Sequence, residues 1–286
     1  MEPLVSIGIP VKNGFTNKTE KDIDLEKTLN SILKQSYNNI EIIISNNCST
    51  DRTNIFLEEI SKTDKRIKLF NQKKQILAGE NFQFVLDQSN GKYFRWNAAD
   101  DLMSYDYIEE NLKFLENNPD YVASSSKFFF ENDNKNSYSH DLNKNLYNRI
   151  KYFFNIRYSS HNVFYSLIRK EILKKTTSMS KDYLAIDWMI DLDLLLNGKF
   201  KTLEKGYIVF GTKGFSRSEN FLDRGRYNSK KIYSLLPLYE LTKDFYKRTI
   251  FMKEFSWLEK VYLYFICIKI NVSFLKKQKF SKILKK

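Results

Sequence analysis

Two adjacent carboxylates, Asp100 and Asp101, stand where a run of strand-forming residues ends in the stretch RWNAADDLMS. Like charges at the end of a buried strand repel each other and lose hydration, so they need a compensating partner. A divalent cation would supply one, because hard cations take carboxylate oxygens as ligands. The alternative is that one of the two aspartates caps a helix that begins near Tyr105.

A second group of carboxylates lies in the apolar helical pattern DYLAIDWMIDLDLLLNGKF, residues 182–200. Asp187 and Asp191 are four residues apart, so one helix would present both on the same face, whereas Asp193 would point elsewhere. A cleft beside that face would hold two carboxylates that can accept a proton. The alternative for Asp187 is a first-turn position, where the helix dipole stabilises a negative charge.

The elements that would position the acidic pair alternate between strand and helix over the first hundred residues. Apolar runs predict buried strands at 5–11, 40–45, 65–70 and 92–96, with helical spacing of apolar residues between them. Three such strand–helix units are typical of a doubly wound parallel sheet. The predicted fold class is therefore α/β, with a Rossmann-like, mostly parallel sheet flanked by helices.

Polar loops follow three of these predicted strands. The loops are residues 12–13, 46–51 and 97–101. In a parallel sheet they would lie along one edge, beyond the carboxyl ends of the strands, where ligands of such sheets bind. Helix capping explains each loop singly, but polar groups that share an edge could also hold a nucleotide together.

Composition and motifs exclude several other classes of protein. The formal net charge of the 286 residues is +13, but the basic residues are scattered through the first two hundred positions and no nucleic-acid-binding motif is present, so no nucleic-acid partner is predicted. Neither GxGxxG nor GxxxxGK[ST] occurs, so a metal ion rather than a glycine-rich loop would neutralise nucleotide phosphates. Cys48 and Cys267 form no CxxC pair, which predicts neither a disulfide framework nor structural zinc.

Three motifs, in this order and spacing, resemble those of the family-two glycosyltransferases. SIGIPVKNG is an apolar strand followed by P-x-x-N, EIIISNNCSTD is a second strand whose turn closes on Asp, and GKYFRWNAADD is an acidic motif after an aromatic strand. The resemblance covers residues 4–216 and is strongest up to residue 118. It implies the A-type glycosyltransferase fold, which binds a nucleotide-diphospho-sugar, and refines the predicted fold class accordingly.

The resemblance assigns expected roles on the nucleoside side of the site. It implies that Pro10, Val11 and Asn13 border the nucleoside. It also implies that Asp51, which closes the turn after the second strand, accepts a hydrogen bond from the base.

For the acidic pair, the resemblance implies that Asp100 lies near the ribose and that Asp101 binds Mg²⁺ or Mn²⁺, which bridges to the diphosphate. The family motif is often Asp-x-Asp, whereas this chain has Ala99-Asp100-Asp101. Both carboxylates therefore remain candidates for the metal. A hard cation held there would stabilise the charge that develops on the leaving diphosphate.

The second half must supply a base if the transfer is inverting, because a carboxylate then removes the proton of the acceptor hydroxyl. The resemblance places this base before a hydrophobic helix that ends at a glycine, which corresponds to Asp187, followed by Trp188 and Gly198. The family more often has Glu-Asp, and here Ile186 precedes the aspartate. Asp191 is the alternative base, and Trp188 would either stack on a sugar or lie in the core.

Three further residues are weaker candidates. His161 is expected near the acceptor or as an ordinary surface histidine. His140 lies in the polar stretch ENDNKNSYSHDLNKN, which predicts a mobile loop acting as a lid over the donor. Arg217 is a candidate contact of the diphosphate.

The predicted organisation is a catalytic domain at 1–220, with nucleotide-sugar binding in 1–118 and the acceptor side in 119–220, followed by a helical basic extension at 221–286. The segment 233–264 is expected to pack on the catalytic domain, and the apolar run VYLYFICI is too short to span a bilayer. The Lys-rich end would either rest on an anionic membrane surface or remain a flexible charged terminus.

The start of the chain carries an acidic residue before its apolar run, which is untypical of a secretory signal. The expected location is cytoplasmic, with peripheral contact at the inner face of the cytoplasmic membrane. The predicted function is metal-dependent, inverting transfer of a sugar from a UDP- or dTDP-linked donor to a glycan or lipid-linked glycan, in bacterial surface polysaccharide or lipopolysaccharide synthesis. The alternatives are a sugar-nucleotide nucleotidyltransferase and a catalytically silent glycan-binding or scaffolding protein.

Overall fold

Strands and helices alternate along the first hundred residues of the computed structural model, which describes residues 2–16, 19–156, 161–181, 184–212 and 236–283, without the side chains of 134–135 and 277–283. The elements of this half are β1 (Val5–Val11), α1 (Leu25–Leu33), β2 (Ile40–Asn46), α2 (Thr53–Thr63), β3 (Ile67–Asn71), α3 (Ala78–Asp87) and β4 (Tyr93–Trp96).

The second half adds further strands to the same sheet and ends in helices. Its elements are β5 (Leu102–Met103), α4 (Tyr107–Asn117), β6 (Tyr121–Phe130), β7 (Asp133–Tyr138), α5 (Leu146–Ile156), α6 (His161–Phe164), β8 (Leu167–Arg169), α7 (Lys170–Leu173), α8 (Ile186–Asn197), β9 (Lys199–Phe210), α9 (Tyr239–Ile250) and α10 (Trp257–Ile283).

One mixed sheet runs through both halves. Within the described residues its order is β3-β2-β1-β4-β8-β6-β9-β5, and β7 pairs with β6. The pairs β1–β2, β1–β4, β2–β3 and β6–β9 are parallel. The short strand β8 is antiparallel to both of its neighbours, β4 and β6, so these two run in the same direction. The carboxyl ends of β1, β2, β4, β6 and β9 therefore meet at one edge, called here the carboxyl edge.

Helices cover both faces of the sheet at β1, β2 and β4, which explains why these strands are buried along their whole length rather than at alternate residues. In β2, Ile42 and Ile44 face a cluster formed with α1 and α4, whereas Ile43 faces the cluster formed with α3, α8 and the C-terminal helices. Successive side chains of a strand point to opposite faces, so both sets must be apolar.

The structure excludes one alternative given for the acidic pair and corrects part of one expected loop. Neither aspartate of the acidic pair caps a helix, because β5 intervenes and α4 begins only at Tyr107, after Asp106. The stretch of residues 131–145 was expected to be a mobile loop, but its residues 133–138 form β7 and pair with β6. A lid role for the rest of the stretch stays a prediction. Consecutive polar residues carry little apolar periodicity, and only the neighbouring strand supplies the hydrogen bonds that make this segment extended.

The C-terminal helices pack through one face of α10. Leu263, Cys267 and Ile270 are buried in the same core cluster as Phe245 of α9 and Phe154 of α5. The packing expected for this region is thus present in its described part, and residues 233–235 lie outside that part. None of the described helices combines the length and the apolar character that crossing a bilayer requires. The proposed boundaries at residues 118 and 220 stay predictions.

Candidate active site

The acidic pair lies at the carboxyl edge, directly after β4. Asp101 is 3% exposed, and its Oδ1 accepts a hydrogen bond of 3.1 Å from the backbone N–H of Gly211, just after β9. Its Oδ2 is buried and has no hydrogen-bond partner among the described residues. A buried carboxylate oxygen normally accepts a hydrogen bond or binds a cation, because burial removes its hydration.

The surroundings of Asp101 disfavour its charge. Burial raises the pKa of Asp101, the negative charge of Asp100 raises it further, and the hydrogen bond from Gly211 and the positive charge of Arg95 lower it by less. A cation bound to this carboxylate would reverse the balance, because an opposite charge favours the ionised form.

Arg95 is a fully buried cation beneath the acidic loop. Its guanidinium donates to Oδ1 of Asn97 at 3.2 Å, to the hydroxyl of Tyr107 at 2.7 Å and to the backbone oxygen of Tyr165. Asn97 in turn donates to the backbone oxygen of Ala98 at 2.8 Å. A planar guanidinium can hold several acceptors at fixed angles, so Arg95 connects β4, α4 and the end of α6 below the acidic pair.

Gly211 approaches the acidic loop so closely that a side chain would not fit. A Cβ built on Gly211 would lie 2.3 Å from the backbone oxygen of Asp100 and 2.8 Å from its carboxylate carbon. The end of β9 is therefore in van der Waals contact with the loop after β4. Only glycine allows that approach together with the hydrogen bond to Asp101.

On the nucleoside side, the loops after β1 and β2 are joined by hydrogen bonds. Asn13 has φ of 55°, in the left-handed region that asparagine tolerates. Its backbone N–H donates to Oγ of Ser49 at 2.9 Å, and its Oδ1 accepts from the backbone N–H of Thr50 at 2.8 Å. Pro10 and Val11 are buried at the end of β1, where the backbone oxygen of Val11 accepts a 2.8 Å hydrogen bond from Asn47.

Asp51 holds the loop after β1 in place. Its Oδ2 accepts 3.0 Å hydrogen bonds from the backbone of Phe15 and the hydroxyl of Thr16, and its Oδ1 accepts one of 3.0 Å from the backbone of Thr53. Burial raises the pKa of Asp51, but these hydrogen bonds outweigh it, so that the pKa lies below its ordinary value. The role expected for Asp51 toward the base stays a prediction, beside this structural role.

The candidate base lies at the start of α8. Burial raises the pKa of Asp187, which stands in the first turn of α8 and is partly buried. Tyr165 is influenced by both this aspartate and the acidic pair. Burial raises the pKa of the Tyr165 hydroxyl well above its ordinary value, and the negative charges of three carboxylates raise it further. They are Asp101, Asp100 and Asp187. One hydroxyl is thus within electrostatic reach of all three carboxylates.

The other aspartates of α8 differ in their surroundings. Asp191 is 1% exposed in the helix, one turn beyond Asp187. Asp193 points elsewhere, as expected: it forms a 2.9 Å ion pair with Arg248 of α9 and accepts a 2.7 Å hydrogen bond from the backbone of Thr177. Trp188 packs against the core cluster around α8, which supports a core role rather than a sugar contact.

Aromatic side chains cluster at the carboxyl edge around the end of β9. The ring centroid of His161 lies 6.0 Å from that of Phe130 and 5.9 Å from that of Phe210, and Tyr165 lies 5.8 Å from Phe210. His161 is therefore part of an aromatic group next to Gly211 rather than an isolated surface residue. Arg217 lies outside the described residues.

The carboxylate oxygens of Asp100 and Asp101 fit a divalent cation that also binds a substrate. No cluster of three or more His, Cys, Asp or Glu side chains with metal-site geometry occurs in the described part of the chain. Mg²⁺ characteristically takes one or two carboxylates from a protein and completes its shell with water and substrate phosphates. The uncompensated Oδ2 of Asp101, with Asp100 beside it, suits that mode of binding.

Three residues of the site were not identified from the sequence: Arg95, Tyr165 and Gly211. Arg95 stood in an apolar strand, where a charged residue is itself unusual and could have been noticed. Tyr165 and Gly211 carried no local signal, because they reach the acidic pair only through the long-range pairing of β8 and β9 with the rest of the sheet.

Solved structures with the same fold are glycosyltransferases. Residues 1–349 of TarS from Staphylococcus aureus, solved in complex with UDP-GlcNAc, match with a TM-score of 0.66 at 17% identity, covering 97% of this chain and 75% of that chain. The mannosyltransferase PcManGT from Pyrobaculum calidifontis, in complex with GDP-Man and Mn²⁺, matches with a TM-score of 0.54 at 14% identity, covering 93% and 70%. The fold is the A-type glycosyltransferase fold, as predicted.

The family model described as glycosyl transferase family 2 matches residues 6–177, more than half of the chain. The chain therefore belongs to glycosyl transferase family 2 and is a glycosyltransferase, which confirms the resemblance read from the three motifs.

Among similar curated proteins, an uncharacterized glycosyltransferase of Methanocaldococcus jannaschii is 25% identical over 93% of this chain and 89% of its own length. An uncharacterized glycosyltransferase of Haemophilus influenzae is 39% identical over 43% of this chain and 36% of its own length. The putative teichuronic acid biosynthesis glycosyltransferase TuaG of Bacillus subtilis is 32% identical over 40% of this chain and 42% of its own length. The latter two are thus matched over less than half of their length.

Proposed function

We propose that this glycosyltransferase is metal-dependent and inverting, and that it transfers a sugar from a UDP- or dTDP-linked donor to a glycan or lipid-linked glycan. The observation that carries the proposal is the buried Oδ2 of Asp101 at the carboxyl edge, which has no hydrogen-bond partner among the described residues while Gly211 holds Oδ1 of the same carboxylate. A sugar donor bound between the acidic pair and Asp187 would have its diphosphate near Asp100 and Asp101 and its anomeric carbon toward Asp187.

On the donor side, Pro10, Val11 and Asn13 would border the nucleoside and Asp51 would accept a hydrogen bond from the base. Asp101, assisted by Asp100, would hold Mg²⁺ or Mn²⁺, which supplies a positive charge to the departing diphosphate. The uncompensated Oδ2 of Asp101 supports this assignment. So does the solved complex of PcManGT, whose fold this chain shares, with GDP-Man and Mn²⁺.

In the reaction, Asp187 would accept the proton of the acceptor hydroxyl while the hydroxyl oxygen forms its bond to the anomeric carbon. The bond between that carbon and the diphosphate oxygen breaks at the same time, and the nucleoside diphosphate leaves with the electron pair. A raised pKa makes Asp187 the stronger base once it is ionised. Asp191, one turn further into α8, is the alternative base.

The setting in bacterial surface polysaccharide or lipopolysaccharide synthesis is supported by the likeness to TuaG, a putative teichuronic acid biosynthesis glycosyltransferase. We place the protein in the cytoplasm, with peripheral contact at the inner face of the cytoplasmic membrane, where a lipid-linked glycan acceptor would be accessible to it.

The proposal is tested by measuring thermal unfolding with UDP-, dTDP- and GDP-sugars, each with Mn²⁺ and with EDTA, because a ligand that binds the folded state raises the unfolding temperature. We expect stabilisation by a UDP- or dTDP-sugar only with the metal. Asp187→Asn should retain this stabilisation and lose sugar transfer. If a sugar nucleotide raised the unfolding temperature equally with EDTA and with Mn²⁺, the metal requirement would be contradicted. If Asp187→Asn transferred sugar at the rate of the wild type, Asp187 would not be the base. A donor-binding wild type without any transfer activity would favour a silent glycan-binding protein.

A further inference from the structure

The outer face of α10 is apolar and exposed, in contrast to the polar outer face that a surface helix of a globular protein normally has. Phe265 is 60% exposed and Trp257 is 73% exposed, whereas Leu263, Cys267 and Ile270 on the inner face are buried. The exposed apolar side chains of this helix are Trp257, Leu258, Tyr262, Tyr264, Phe265, Ile268 and Val272.

Several of these side chains form one continuous stripe. Leu258, Phe265, Ile268 and Val272, with the half-buried Val261 between them, are separated by three or four residues in turn, so they lie on one side of the helix over four turns. Leu258, Phe265, Ile268 and Val272 are 41% to 71% exposed in the described part of the chain, and this stripe is called here the outer stripe. A continuous apolar patch of this kind on a soluble domain normally marks a surface that binds another body.

The charges around the outer stripe indicate what that body is. From residue 260 to the end of the chain, the sequence has eight lysines and no aspartate or glutamate. Lys269 and Lys276 belong to α10 itself and are exposed. On the neighbouring helix α5, Lys151 lies 5.1 Å from the ring centroid of Tyr262, which extends the basic border of the stripe.

A second copy of this chain is a poor match for such a surface. Two outer stripes packed against each other would bring these lysines together, and the whole chain carries a formal net charge of +13. Like charges at an interface oppose association. An anionic lipid surface offers both parts of the match, since its acyl region takes Trp, Phe and Leu side chains and its headgroups attract lysines.

We propose that the outer stripe of α10 is a docking surface for an anionic lipid bilayer, on which the helix lies parallel to the membrane plane. Trp257 and Phe265 enter the boundary between headgroups and acyl chains, and Lys269 and Lys276 contact the headgroups. The surface thus begins well before the Lys-rich end of the chain, for which the sequence alone left membrane contact and a flexible charged terminus as alternatives. Docking requires neither a sugar donor nor an acceptor, so it stands or falls separately from the proposed transfer reaction.

The test is flotation of the full-length protein with vesicles of phosphatidylcholine alone and of phosphatidylcholine mixed with phosphatidylglycerol. We expect the wild type to float with the anionic vesicles only, and less at high salt, because salt screens the attraction. Phe265→Ser/Ile268→Ser should lower the partition coefficient at least about tenfold. Lys269→Glu/Lys276→Glu should lower it by at least about fivefold for each lysine.

Matched control variants for the flotation experiment are made in α2 and just after its end. Ile55 is 62% exposed on that helix, and Lys62 and Lys65 are exposed nearby. Ile55→Ser and Lys62→Glu/Lys65→Glu should float like the wild type. The unfolding temperature of each variant shows that it is folded.

Three results would overturn the proposal. The first is a wild type that does not float, or that floats equally with neutral vesicles. The second is flotation by Phe265→Ser/Ile268→Ser at the level of the wild type. The third is a dimer in sedimentation experiments that this variant abolishes, since the occupant of the stripe would then be a second copy of the chain.

Discussion

The backbone N–H of Gly211 donates a 3.1 Å hydrogen bond to Oδ1 of Asp101, although 110 residues separate the two in the chain. This contact ties the end of β9 to the acidic loop after β4. It also leaves Oδ2 of the same carboxylate as the oxygen without a partner among the described residues, so the hydrogen bond fixes which oxygen would be offered to a cation.

Gly211→Ala should displace the acidic loop. The added Cβ would meet the backbone oxygen of Asp100 at 2.3 Å, so either that loop or the end of β9 must move. A displacement of about 1 Å at a reacting centre can cost about a hundredfold in rate, and we expect a fall in kcat/KM of roughly that size. Steady-state kinetics with the metal-bound donor measure it.

The control is Gly91→Ala, at the opposite end of β4. A Cβ on Gly91 would meet Oγ of Ser6 at 2.6 Å and the backbone oxygen of Leu4 at 2.7 Å. This variant should lose stability and keep the kcat/KM of the folded protein. Equal kinetic losses in the two variants would show that Gly211 matters for folding alone.

Asp101→Asn should separate stability from activity. In the absence of metal, the substitution removes a buried carboxylate whose pKa is raised by burial and by Asp100, so the unfolding temperature should stay the same or rise. Transfer should fall at least about a hundredfold, because the proposed ligand of the metal is lost. Calorimetry in EDTA and transfer assays with Mn²⁺ test the two parts.

Asp106→Asn provides the matched control for this prediction. Asp106 accepts a 2.7 Å hydrogen bond from Ser104 beside α4 and is not one of the proposed metal ligands. Its substitution should leave the metal dependence of transfer unchanged. A fall in the metal-free unfolding temperature of Asp101→Asn would mean that the carboxylate stabilises the fold, contrary to our assignment.

Arg95→Met should weaken both the fold and the site. It leaves the acceptors on Asn97, Tyr107 and Tyr165 without their donor, and it removes a positive charge that lowers the pKa of Asp101. Losses of about 3 kcal/mol are usual when one partner of a buried charged network is removed. The transfer rate of the folded fraction should fall as well, since Asn97 orients the acidic loop, and Arg95→Lys should restore part of both.

Arg169 gives the comparison for Arg95. It is a partly buried arginine that donates to the backbone oxygens of Tyr121 and Leu115 and to the hydroxyl of Tyr93, at the opposite edge of the sheet. Arg169→Met should destabilise the protein and spare the kcat of the folded fraction. If Arg95→Met did the same, Arg95 would be a structural residue without a positioning role.

A site residue could be predicted from the sequence where a local pattern places it, and could not where only long-range strand pairing does. Asp100, Asp101 and Asn13 each follow an apolar strand directly, so strand pattern and loop polarity together locate them at the carboxyl edge. Tyr165 and Gly211 reach the acidic pair through pairings between residues far apart in the chain, which no local pattern specifies.

The same distinction explains the fold. The strand–helix units of the first hundred residues are local and were predicted, whereas β7 consists of polar residues whose extended form depends on β6. The three motifs of the family supplied the fold class, the A-type glycosyltransferase fold, which periodicity alone does not give.

Glu41 offers a pH-dependent test of stability, away from the acidic pair. This buried carboxylate accepts hydrogen bonds of 2.6 Å from Ser6, 2.6 Å from the backbone of Asn90 and 2.7 Å from Lys68. Burial raises the pKa of Glu41, but these hydrogen bonds outweigh burial and the pKa lies below 4.5, its ordinary value. A carboxylate with a lowered pKa stabilises the fold above its ordinary pKa, and that stabilisation is lost as the pH falls through the lowered value.

Glu41→Gln should therefore reduce the free energy of unfolding by about 2 kcal/mol at neutral pH, a figure discounted because Lys68 is half exposed. The difference between wild type and variant should stay constant down to the ordinary pKa of glutamate and shrink below it. Urea denaturation at a series of pH values measures this difference. Glu59→Gln, at an exposed position of α2, should show almost no difference at any pH. A difference that grows as the solution is acidified would contradict the lowered pKa of Glu41.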